Sequence, residues 1–176
     1  MKFVITFLVA INLLSAQPVL AFDISVSNMT QIASAFFTNL SAHEYGHAVV
    51  GNSVGAEGIN VTFLSKEKNN LFLGYTSLTS IDDKSYPAFA IGGEIGASMS
   101  FEYALQSYRN RSSVYNKSLL FFSGTDFLWY SIYTFYWNKD NTDADPNILK
   151  EETGLSKDVI LSVAVAQSIL NTYRVI

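Results

Sequence analysis

The chain has 176 residues, a net charge of −4, 49% hydrophobic and 14% aromatic residues, and no cysteine. One domain is the natural count for that length, and mild acidity without any basic run argues against nucleic acid or another polyanion as partner. A mean hydropathy of +0.20 is rich for a soluble domain and lean for a chain of many membrane spans, and without disulfides an exported fold must rely on packing, metal or lipid.

At the N-terminus, Met1-Lys2 precedes an apolar run from Phe3 to Leu14, and Ser15 to Ala21 ends in small residues at Val19-x-Ala21. This pattern predicts a signal peptide over 1–21, or an N-terminal anchor if it is not cleaved, ahead of a single domain over 22–176. Either form sends the chain to the export machinery.

Met29 to Gly51 reads as the first long helix, with Phe36, Leu40, His43, His47, Val50 and Val54 on one stripe at spacings of three and four. Both histidines of the chain fall in His43-Glu44-Tyr45-Gly46-His47 within it. On a helix this H-E-x-x-H string stacks two imidazoles one turn apart, able to reach one zinc ion at about 2.0 to 2.1 Å from each nitrogen. Glu44 is rotated away from the pair, yet its carboxylate can reach a water that the ion activates. The chemistry implied is zinc-assisted hydrolysis, with the metal polarising a carbonyl and Glu44 as general base.

From Gly58 the period changes. Ile59–Leu64 and Leu71–Thr76 are strand-like runs around a polar turn, which predicts a small β-hairpin directly after the motif helix. An edge strand there could hold an extended substrate backbone. Three apolar segments follow, Ala88–Tyr108, Ser118–Trp137 and Ser156–Tyr173, with Pro87 suited to the start of the first and Ser156 with Asp158 to the start of the last. The Gly-rich stretch Gly92-Gly93-Glu94-Ile95-Gly96-Ala97-Ser98 lets helices approach closely. The fold class expected is mainly α: a helical bundle, membrane-embedded, with one small hairpin.

A catalytic zinc usually takes three protein ligands and leaves a fourth position open. The metzincin completion would need a histidine at position 53, which is Ser53. The third ligand is then a distant carboxylate: Asp126, an ionisable residue inside an apolar segment, comes first, with Glu94 and Glu102 as alternatives.

His43-Glu44-Tyr45-Gly46-His47-Ala48 with Gly55, then a hairpin, a Gly-rich helix and an aspartate in an apolar segment, resembles the site-2 protease family of membrane-embedded zinc peptidases, especially its small bacterial members. The resemblance covers about Met29 to Trp137. It implies zinc ligation by His43, His47 and Asp126, Glu44 as base, a peptide or protein substrate, and a place in a bacterial inner membrane. The alternatives are a soluble periplasmic or secreted peptidase of zincin type, and a non-catalytic metal-binding membrane protein.

Finally, Asn141 to Glu152 has oxygen side chains at loop positions one, three, five and twelve and an apolar residue at eight, the outline of an EF-hand calcium loop. Pro146 stands where that loop needs glycine, and a solvated turn capping the last helix suits the segment better.

Overall fold

The computed structural model describes residues 25–67 and 70–176, so the signal or anchor expected over 1–21 lies outside the described residues. Helix α1 (Val26–Ser53) starts where the Ser25 hydroxyl accepts from the Asn28 N–H at 3.2 Å, satisfying one of the amides a helix start leaves bare. It is three residues longer at its start than Met29 and ends two past Gly51.

Strands β1 (Asn60–Glu67) and β2 (Asn70–Ser77) pair antiparallel from Asn60 with Ser77 to Glu67 with Asn70, the hairpin expected from the change of period. A 3-10 turn, Asp83–Ser85, leads into α2 (Tyr86–Asn110), which has proline in its first turn. Next come α3 (Val114–Gly124), capped by Ser113, and α4 (Asp126–Tyr136). The single apolar segment expected over 118–137 is therefore two helices, broken at Thr125, which takes φ −119° and ψ 7°. The Gly124 carbonyl freed there accepts from Asn171 Nδ2 at 3.2 Å.

Helix α5 (Asp145–Thr153) opens on proline and stops at Gly154, whose φ of 69° is left-handed and suits glycine. Ser156 then caps α6 (Lys157–Val175), accepting from the Val159 N–H at 3.3 Å. The calcium-loop outline is not what this segment forms. Its second half is helical, and Asp145, 6% exposed, turns inward.

Two apolar cores hold the bundle. Ala35, Phe101, Ala104, Leu105, Leu119 and Leu120 join α1, α2 and α3. Ala90 with Phe127, Leu128, Ile148, Leu149 and Leu161 joins the start of α2 to α4, α5 and α6. Helix α2 thus runs through both, and the histidine motif of α1 lies against its Gly-rich part.

Backbones meet there. A methyl group built on Gly46 would stand 2.2 Å from the Gly92 carbonyl oxygen, and one on Gly96 would stand 1.9 Å from that of Ala42. The small-residue run of the sequence is thus the contact face of α2. Among the described residues, no helix is long and apolar enough to cross a membrane, so the membrane-embedded form of the bundle expected from the apolar segments has no spanning helix here.

Candidate metal centre

The inward face of α1 is Ala35, Asn39, His43, His47 and Gly51, one residue per turn, with Glu44 also buried beside it. Both imidazoles are oriented through Nδ1. That of His43 faces Asp126 Oδ2 at 2.9 Å, and that of His47 faces the Phe89 carbonyl oxygen of α2 at 2.7 Å. An acceptor can be served only by an N–H, so each Nδ1 carries a proton and each Nε2 is the atom left for a metal ion or a second proton. The two Nε2 atoms are 3.2 Å apart.

Asp145 completes the figure from α5. Its Oδ2 lies 3.3 Å from His43 Nε2 and 3.1 Å from His47 Nε2. Three ligand atoms at these separations form a nearly equilateral triangle. A tetrahedral zinc with bonds of about 2.0 to 2.1 Å has ligand–ligand edges of about 3.3 to 3.4 Å, so the set fits the ion with little adjustment. Gly93 makes room: a methyl group there would come within 2.4 and 2.5 Å of the two Nε2 atoms.

The electrostatics agree with that geometry. Burial pushes the Asp145 carboxyl up, but hydrogen bonds from His43 and His47 outweigh it and hold the group below the usual range, ionised. Burial pulls the His43 imidazole down, yet Asp126, then Asp145 and Glu94, hold it well above its ordinary value. A cation at Nε2 would replace the proton these carboxylates attract.

Glu44 is 6% exposed and packs under the hairpin. Thr76 Oγ1 of β2 lies 2.8 Å from Glu44 Oε2 and 2.9 Å from the Glu44 carbonyl oxygen, so its one proton serves either acceptor in turn. Gly74 lets the strand close, since a methyl group on it would stand 3.1 Å from Glu44 Cγ. Burial pushes the Glu44 carboxyl up, with His43 and Thr76 acting against it.

The three expected third ligands are placed differently from one another. Asp126, at the start of α4, stands behind His43 on its Nδ1 side and is held by Asn39 Nδ2 at 2.5 Å. Glu94 has a carboxyl oxygen within 4.8 Å of a ligand atom of Asp126 and of one of His43. Glu102 is remote, in an exposed pair with Arg174, whose Nη2 donates to its Oε2 at 2.7 Å. The carboxylate that converges on both Nε2 atoms is Asp145, which the sequence reading spent on the calcium-loop outline. Its signal was local: Pro146 at a helix start and apolar Ile148 and Leu149 three and four residues on put Asp145 on an inward face.

Comparison with family models, with curated proteins and with solved structures gave no match to this chain.

Proposed function

We propose that the protein is a zinc-dependent peptidase in which His43, His47 and Asp145 hold the ion, Glu44 is the general base and Asp126 orients His43. The observation that carries this reading is the triangle of His43 Nε2, His47 Nε2 and Asp145 Oδ2, with sides of 3.1 to 3.3 Å, one residue away from a buried glutamate. Zinc bound there supplies a Lewis acid for the scissile carbonyl and makes water acidic enough to lose a proton near neutrality.

Glu44 would take a proton from the attacking water and give it to the leaving amine nitrogen, so that one carboxylate serves as base and then acid. Thr76 orients it. Its raised affinity for protons, caused by burial, brings it nearer to the pKa that both roles need. Asp126 and the Phe89 carbonyl fix the imidazole rings and favour the tautomer that binds metal. Among the described residues the sheet is two strands wide, with no third strand on the edge of β2, the strand beside Glu44. An extended peptide adding to that edge would meet the base.

Glu44→Gln keeps the shape and removes the base. It should lower hydrolysis of a fluorogenic peptide mixture by about 10² to 10⁴-fold, with zinc content staying near one per chain. Wild-type rates in that variant would reject the mechanism.

A further inference from the structure

Beside the Nε2 triangle is a second gathering of ligand atoms, from His43, Glu94 and Asp126. Glu94 is 8% exposed, and neither of its carboxyl oxygens has a hydrogen-bond partner. Asn39 Oδ1 is buried and likewise without one, while the same amide's Nδ2 donates to Asp126 Oδ1. One ligand atom each from His43, Glu94 and Asp126 lies within 4.8 Å of the others.

The charge count is lopsided. Glu44, Glu94, Asp126 and Asp145 gather around two imidazoles, and among the described residues no lysine or arginine pairs with any of them. With all four ionised, one zinc ion would offset only two of the four negative charges. An uncompensated carboxylate with both oxygens buried and unbonded is among the costlier arrangements in a protein interior.

We propose that Glu94 and Asp126 form a second cation site that takes a small, hard divalent ion such as Mg²⁺ or Mn²⁺. Both donors are carboxylates, which suit those ions and not a soft metal. Asp126 Oδ2 keeps the His43 proton, so the carboxylate joins the two sites: one oxygen steadies a zinc ligand while the group as a whole faces the second ion. The inference leans on the zinc reading only for the charge count; its ligands are different residues.

The test is metal content. Purified wild-type protein given one equivalent of Zn²⁺ and excess Mn²⁺, then dialysed, should carry one zinc and one manganese per chain. Bound Mn²⁺ should broaden the His43 imidazole resonances more than those of His47, a wild-type readout that needs no variant to fold. Glu94→Gln should weaken Mn²⁺ by at least about tenfold and keep the zinc. Absence of bound Mn²⁺ at millimolar concentration, or Mn²⁺ held equally well by Glu94→Gln, would overturn the proposal and mean that a proton neutralises Glu94. Loss of zinc binding with Glu94-dependent Mn²⁺ retained would instead strike the zinc reading and leave the second site standing.

Discussion

Asp145 and Asp126 are both aspartates at helix starts, and both touch His43, but through opposite ring nitrogens. That difference ranks their variants. Asp145→Asn removes a charged ligand from the triangle, whereas Asp126→Asn only weakens the hold on a ring, an effect worth about 10 to 100-fold in metal affinity at comparable sites. In a competition against a chelator, Asp145→Asn should lose more zinc affinity than Asp126→Asn. The reverse order would make Asp126 the ligand. Glu102→Gln should leave zinc untouched and shift stability by less than about 1 kcal/mol, because its pair with Arg174 is exposed. The motif spacing made His43, Glu44 and His47 legible, since the helix alone fixes their relation. Choosing among carboxylates was not legible, because the choice depends on which nitrogen of one ring each faces.

At the scale of elements, helix crossing and hairpin docking place the site. Alanine at a helical glycine ordinarily stabilises by about 1 kcal/mol. Gly96→Ala should do the opposite, since its methyl group would meet the Ala42 carbonyl at 1.9 Å and force α1 and α2 apart; a melting curve should show a loss of about 1 to 3 kcal/mol. Thr76→Val in β2 keeps the β-branched shape and drops the hydroxyl that steadies Glu44. Its kcat should fall about tenfold with zinc content unchanged, and an unaltered rate would remove the hairpin from the mechanism. The hairpin and α2 were readable because a change of period and a proline mark them. Helix α5 was harder to read, because its polar approach from Asn141 to Asp143 matches the pattern of a solvated loop, and the local cue at Pro146, Ile148 and Leu149 turns Asp145 inward without saying that it meets the histidines on α1.

Across the whole molecule, protons and metal compete for the same groups. In the metal-free protein burial holds Glu44 and Glu94 above the carboxylate range, and neighbouring carboxylates overcome burial to hold His43 above its own ordinary value. All three bind protons more tightly folded than unfolded. Their contribution to stability is therefore full below the ordinary carboxylate range and lost as pH rises through the raised values; Asp145, which is shifted down, acts oppositely but only at lower pH. The melting temperature of chelator-treated protein should thus fall between about pH 5 and pH 8, while zinc binding strengthens as the imidazoles lose protons. A metal-free protein that grew more stable over that range would contradict the assignment. His43 and Asp145 are 102 positions apart in the chain, so an ion between them closes a loop of the size for which a disulfide would contribute about 4.7 kcal/mol by restricting the unfolded chain. In a protein without cysteine, a bound ion would be the cross-link, and a chelator should then act on this fold as a reductant acts on a disulfide-bonded one: α5 undocks, and the segment from Asp145 onward becomes the first target of a protease.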